Sequence, residues 1–245
     1  YKVSFDTTKV IKASIDEVFE TLIIAIILVV LVTYLFLQKV NTTLIPTIAI
    51  VVSVIGTFIG MSALGFSVNL LTLFGLVLAI GIVCDDAIVV VENVERNIED
   101  LGLSPKDATV KAMEEVTGPV IATTLVLIAV FVPVAFMPGT TGVLYKQFAI
   151  TIAISVAISS FVALTLTPAL SAILIKPSTG GPGGFFKWFN DWLEGVTRHY
   201  AKGVNLAMKR VLLAMIALAA MLFGTATLFK VIPGSFVPPD DQGYL

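Results

Sequence analysis

Charged residues are scarce in this sequence. Only 13% of its 245 residues are Asp, Glu, Lys or Arg, whereas 57% are hydrophobic; a soluble domain carries roughly 25% charge. Because long runs contain no charge at all, the composition argues against a large soluble core and favours a protein that faces lipid. The net charge of −2 also argues against the basic patch that is typical of nucleic-acid binders, so we expect no nucleic-acid partner.

Cysteine and histidine are nearly absent as well. Cys84 is the only cysteine, which excludes an internal disulfide, and His199 is the only histidine. We find no cluster of metal ligands, and we expect neither a metal, a cofactor nor an enzymatic activity. The chain begins with Tyr1 rather than Met, shows no signal peptide and closes within a polar stretch, so we expect it to be a piece of a longer protein.

Six apolar stretches are long enough to cross a membrane. A helix needs about 20 apolar residues to cross about 30 Å of hydrocarbon. The stretches lack the period-two alternation of barrel strands, and backbone groups in lipid must be paired, so we predict helices. The predicted fold is an all-α membrane protein with six transmembrane helices. The predicted spans cover residues 18–38, 44–64, 68–92, 117–137, 147–175 and 210–230.

The distribution of basic residues predicts the orientation of these spans. Loops 38–43, 93–117 and 176–210 contain ten of the fifteen Lys and Arg residues. The positive-inside rule places these three loops in the cytoplasm. The end segments, residues 1–17 and 231–245, are then predicted to lie outside the membrane on the opposite side.

A seventh segment, residues 183–198, is predicted to be an amphipathic helix that follows a flexible linker at 178–184. We place it in the cytoplasmic membrane interface, because both tryptophans of the chain lie on its apolar face. The alternative is a soluble helix packed on the next domain. The apolar face carries Phe185, Trp188, Phe189, Trp192, Leu193 and Val196, and the polar face carries Lys187, Asn190, Asp191, Glu194 and Arg198.

Local patterns add detail to the predicted helices. Several glycines and Ala79 recur within the spans at the spacing of small residues, which favours close helix contacts. Loop 93–117 is expected to be a solvated connection. Within that loop, Ser104 fits a helix N-cap with Pro105 at the first helical position. Pro133 and Pro168 are predicted to kink their spans. The glycines predicted at helix contacts are Gly56, Gly60, Gly75 and Gly81.

The third span contains two consecutive carboxylates, Asp85 and Asp86. Asp85 lies only about 6 Å beyond the midpoint of the span, at about 1.5 Å per residue. An ionised Asp at this depth costs about 2.5–3.5 kcal/mol. Burial favours the neutral form of a carboxyl group, and a neighbouring carboxylate favours it further. A group that can be either neutral or charged can carry protons, so we predict that this pair binds and releases them.

Other roles for the pair remain open. Two carboxyl groups could simply form hydrogen bonds to neighbouring helices. They could bind Na⁺, although the span lacks the unwound Gly/Pro break that usually exposes carbonyl groups for such a site. Intramembrane aspartic proteases also use two aspartates, but on separate helices. The spans contain Lys and Arg only at their ends, so any cationic partner must come from outside them. Glu92, Glu95 and Arg96, at the cytoplasmic end of the third span, are expected to be interface anchors.

The sequence around the pair resembles a known family. Residues 81–96 read GIVCDDAIVVVENVER, which is similar to the signature of the resistance–nodulation–division (RND) transporters in their multidrug, or hydrophobe/amphiphile efflux, branch. The heavy-metal branch generally has Ala at the position of Asp86, so Asp86 favours drug efflux, whereas Cys84 departs from the usual small apolar residue. Further similar stretches are LIPT at 44–47, FVPVAF at 131–136, LTPAL at 166–170 and PDDQG at 239–243.

The resemblance implies proton-coupled export of drugs and amphiphilic compounds. The chain would form the N-terminal half of a twelve-helix transmembrane domain, with Asp85 and Asp86 as proton-translocation residues and their lysine partner in the missing second half. The complete protein would be a homotrimer in the inner membrane of Gram-negative bacteria, joined to a periplasmic adaptor and an outer-membrane channel. Both ends of this chain would lie in the periplasm, residues 1–17 closing a porter segment. The alternatives are a non-transporting module, such as a sterol-sensing receptor domain, and a cation or lipid transporter of the same superfamily.

Overall fold

The computed structural model describes residues 7–176 and 184–231, which are almost entirely helical. Residues 1–6, 177–183 and 232–245, to which parts of the predicted end segments and linker belong, lie outside the described residues. The described helices, in chain order, are α1 (Thr7–Leu37), α2 (Val40–Ala63), α3 (Leu70–Leu101), α4 (Pro105–Ala135), α5 (Gly139–Leu174), α6 (Gly184–Lys209) and α7 (Val211–Val231).

Six of the described helices are long and apolar enough to cross a membrane. They are α1 to α5 and α7, so the predicted number of spans is confirmed. Helix α6 is the exception, because its apolar residues occupy one face and its charged residues the other. The predicted fold class, six spans and one amphipathic helix, is therefore confirmed for the described residues.

Several helices extend further than the apolar runs predicted. Helix α3 continues to Leu101 instead of ending at residue 92, and α4 begins at Pro105 instead of residue 117. The prediction of a solvated loop at 93–117 is therefore wrong, since only residues 102–104 connect the two helices. The physical reason is packing: Val94 and Ile98, beyond the lipid-length run, are buried with Ala108 and Ala112 of α4. Likewise, α6 continues to Lys209 instead of residue 198.

The first compact unit contains α1 to α5. Helix α5 packs against α2, α3 and α4, while α1 packs against α2 and α3. A second group of buried side chains joins α1, α2 and α3: Leu22, Ile50, Leu76 and Ile80. Many large apolar side chains on the outer surfaces, such as Ile27 and Leu125, are more than half exposed, which suits contact with lipid or with further helices.

The second compact unit contains α6 and α7. The two helices are almost continuous, because the backbone N–H of Arg210 donates to the Leu206 carbonyl at 2.9 Å. The Arg210 carbonyl in turn accepts from the N–H groups of Leu213 and Ala214. Within this unit no residue of α7 is buried. Most apolar side chains of α6 are also exposed, including Trp188 and Trp192, whereas Phe189 is buried.

Candidate functional site

Helix α3 carries the carboxylate pair, and both of its ends are capped. The N-cap Asn69 accepts a hydrogen bond from the Thr72 N–H at 3.0 Å, while the Asn69 N–H donates to the Thr72 hydroxyl at 2.9 Å, a reciprocal capping box. At the other end Gly102 has a φ of 65°, the left-handed conformation that glycine adopts without a Cβ penalty. These caps fix a 32-residue helix with Asp85 and Asp86 near its middle.

Asp85 and Asp86 line one cavity between α3 and α4, with a volume of about 690 Å³. The side chain of Asp85 is exposed and that of Asp86 is half-buried. Gly81 and Val89 of α3 flank the pair. The structure thus brings both predicted residues to the wall of a single crevice. The facing wall is largely apolar and comes from α4: Pro119, Val120, Ala122, Val126 and Leu127.

The chemistry of this cavity is that of two acids in apolar surroundings. Among the described residues that line it, none is Lys or Arg. Over residues 7–176 and 184–231, no three His, Cys, Asp or Glu side chains are grouped so that they could hold a metal ion. An ionised carboxylate at the middle of a membrane-spanning helix costs about 2.5–3.5 kcal/mol.

Behind the cavity, α2 and α5 pack at very short range. A Cβ built on Gly56 would lie 2.8 Å from Cγ2 of Ile158, and one on Gly60 would lie 2.7 Å from Cγ2 of Ile154. The predicted small-residue contact is therefore confirmed for these two glycines. Among the described residues a Cβ on Gly81 would meet nothing within 4 Å, because Gly81 borders the cavity.

A buried hydroxyl pair adds to the α2–α5 contact. The hydroxyl of Ser155 donates to Oγ1 of Thr57 at 3.0 Å, and the Thr57 hydroxyl donates to the Ser53 carbonyl at 2.8 Å. Polar contacts of this kind hold membrane helices together where no hydrophobic driving force is available. Helices α2 and α5 thus form a close-packed support for α3, which α5 also contacts.

Comparison with known proteins shows the family of this chain. The family model described as "AcrB/AcrD/AcrF family" matches residues 1–245. The chain belongs to the AcrB/AcrD/AcrF family. It is 48% identical to the multidrug export protein AcrF of Escherichia coli strain K12 over 98% of this chain and 24% of that protein. It is 46% identical to the toluene efflux pump membrane transporter TtgB of Pseudomonas putida, over 98% of this chain and 23% of that protein.

The chain spans about a quarter of the length of these relatives. Membership of the AcrB/AcrD/AcrF family confirms the resemblance identified in the sequence, and together with six helices of spanning length it identifies a multi-pass membrane protein. One of these relatives is named as an export protein and the other as an efflux pump membrane transporter.

This family member also has an ionic cluster at the C-terminal end of α3 that the sequence did not reveal. Lys39, between α1 and α2, contacts Glu95 and Glu99 at 3.0 Å each. The Thr42 hydroxyl donates to the same Glu95 oxygen at 2.9 Å. The side chain of Glu95, expected to be an interface anchor, is only 13% exposed and ties α3 to the α1–α2 connection. Residues separated by 56 positions give no periodic signal along the chain.

The ammonium group of Lys39 stays protonated in this cluster. Burial lowers the pKa of the Lys39 ammonium, but the hydrogen bonds and negative charges of Glu95 and Glu99 outweigh burial and raise it above its usual value. Lys39 therefore stays positive over the whole physiological pH range. A second pair, Arg96 with Glu115 at 2.8 Å, joins α3 to α4 on the other side of the same helix end.

Proposed function

We propose that this chain supplies the proton-carrying carboxyl groups of a proton-driven efflux transporter for drugs and amphiphilic compounds. The observation that supports this most is the position of Asp85 and Asp86, which lie consecutively at the middle of a spanning helix and line one open cavity. The names of the relatives, a multidrug export protein and a toluene efflux pump, support the substrate class.

The proposed mechanism is a change of charge at this pair. When the carboxyl groups are ionised, they attract a cation, which we expect to be a lysine from the second half of the complete transporter. Protonation removes that attraction and allows α3 to shift relative to its neighbours. One proton that crosses a potential of 100 mV releases about 2.3 kcal/mol. This energy can drive the helix movement only if the pair alternates between its ionised and its protonated form.

The proposed setting follows from the same family. The complete protein is a homotrimer in the bacterial inner membrane, with the ends of this segment in the periplasm and with a periplasmic adaptor and an outer-membrane channel as partners. The excess of Lys and Arg in the loops expected on the cytoplasmic side supports this orientation.

The test replaces each aspartate by asparagine in the complete transporter that contains this segment. Asp85→Asn and Asp86→Asn keep the size and the hydrogen-bonding capacity of the side chain but remove its titration. We expect each variant to lose drug efflux from cells at unchanged membrane expression. The matched control is Asp100→Asn, the same exchange at an exposed position of α3, which should retain efflux. Efflux retained by both pair variants would favour a purely structural, hydrogen-bonding role.

A further inference from the structure

The basic residues of α6 lie on one face of that helix. Lys187, Arg198 and Lys209 are spaced by eleven residues, which is about three helical turns, and Lys202 lies about one turn beyond Arg198. All four side chains are exposed. They form a stripe along the helix.

The charge along this stripe is unevenly distributed. In the N-terminal half the bases alternate with Asp191 and Glu194, and Arg198 donates to a Glu194 oxygen at 2.8 Å. Beyond Glu194 no acidic residue occurs before residue 240. In the described residues, the exposed bases at 202, 209 and 210 have no carboxylate within ion-pair distance. We call three residues the basic end of α6: Lys202 and Lys209 of the helix, and Arg210, which directly follows it.

The covalent structure fixes the depth of this basic end. Arg210 is followed directly by Val211, the first residue of the 21-residue apolar helix α7. The hydrogen-bonded turn at Arg210 leaves no loop between the two helices. Residues at the very start of a membrane span lie at the level of the lipid headgroups, so Lys209 and Arg210 lie among phosphate groups wherever α7 crosses the bilayer.

We propose that the basic end of α6 binds the headgroups of anionic phospholipids. Lys and Arg recognise phosphate through charge-assisted hydrogen bonds, and each base near an anionic membrane surface favours binding by about fivefold. The charge complementarity is strongest at 202–210, where no internal carboxylate competes. The proposal goes beyond efflux and is independent of the proton step.

The test uses a tryptophan as a local reporter of lipid identity. Trp188 and Trp192 are the two tryptophans of the chain, so Trp188→Phe and Trp192→Phe remove the background. Met208→Trp then places one reporter beside Lys209. The complete transporter that contains this segment, with its remaining tryptophans also exchanged for Phe, is reconstituted in phosphatidylcholine vesicles. These contain, at equal mole fraction, brominated phosphatidylglycerol or brominated phosphatidylcholine, which quench tryptophan by contact.

We expect brominated phosphatidylglycerol to quench the reporter at 208 severalfold more than brominated phosphatidylcholine, and added salt to reduce the difference. Exchanging the three bases for Gln should abolish the difference. Lys187→Gln, in the charge-balanced half of α6, should leave it intact. A transporter that keeps Trp192 as its single tryptophan has a native reporter there and should discriminate less.

Three results would overturn the proposal. They are equal quenching of the reporter at 208 by both lipids, a difference that survives the triple exchange, and quenching by neither lipid, which would place protein against this surface. Far-ultraviolet circular dichroism of each variant confirms that its helices remain folded, so that a loss of discrimination reports on charge.

Discussion

The contact between α2 and α5 predicts that Gly60→Val destabilises the first unit. A Cβ at residue 60 would lie 2.7 Å from Cγ2 of Ile154, whereas carbon atoms in favourable contact are about 3.5–4.0 Å apart. Cγ2 belongs to a β-branched side chain, which has one strongly preferred rotamer in a helix, so the backbones must separate. Overpacking of this kind costs about 1–3 kcal/mol. The higher helix propensity of Val than Gly returns less than about 0.5 kcal/mol, so the clash prevails.

The assay is unfolding of the detergent-solubilised chain by titration with sodium dodecyl sulfate, followed by circular dichroism. Tryptophan fluorescence is unsuitable, because both tryptophans lie on α6 in the second unit. The control is Gly81→Val in α3 of the same unit, since a Cβ at Gly81 meets nothing within 4 Å among the described residues. The double variant Gly60→Val/Ile154→Ala should recover part of the loss, because Ala lacks Cγ2. The reasoning is refuted if Gly60→Val and Gly81→Val unfold at the same detergent fraction.

Two further predictions concern the ends of helices and use the same unfolding assay. Glu95→Gln should destabilise the chain by about 1 kcal/mol, because the Glu95 side chain is 13% exposed and bonded to both Lys39 and Thr42. Glu99→Gln, at a 60% exposed site, should cost less than about 0.5 kcal/mol. Equal losses of stability in the two variants would contradict this ranking. Ser104→Ala should cost about 1 kcal/mol, because it removes the oxygen that caps α4, whereas Ser104→Thr, which keeps a hydroxyl that can accept from the Asp107 N–H and donate to the Asp107 carboxylate, should retain most of the stability.

The spans could be predicted because lipid imposes a simple rule. Each of the six apolar runs corresponds to one helix of spanning length, and the N-cap predicted at Ser104 is present, where the Ser104 hydroxyl accepts from the Asp107 N–H at 3.2 Å. The predicted helix ends are wrong where helices leave the apolar region. Residues 93–101 are polar overall, yet Val94 and Ile98 among them are buried, and a search for apolar runs is insensitive to two isolated side chains.

The carboxylate pair was predictable for a related reason. Charged side chains are so costly in hydrocarbon that they are rare within apolar spans, so Asp85 and Asp86 can be recognised as candidate functional residues from the sequence alone. The ionic cluster around Lys39 was not predictable, because surface and interface residues of these types are common and the pairing depends on how α2 and α3 dock. The cavity wall from α4 likewise depends on tertiary contacts, since Pro119 and Val126 carry no local signal of a cavity.

The measurement that tests the central proposal most directly is proton movement in the purified complete transporter. The protein is reconstituted in vesicles that contain a pH-sensitive dye, and a transported drug is added under an imposed pH gradient. We expect drug-dependent proton flux from the unmodified transporter and from Asp100→Asn, and none from Asp85→Asn or Asp86→Asn. Drug-dependent proton flux of unchanged size in either pair variant would contradict the assignment of that carboxyl group as a proton carrier.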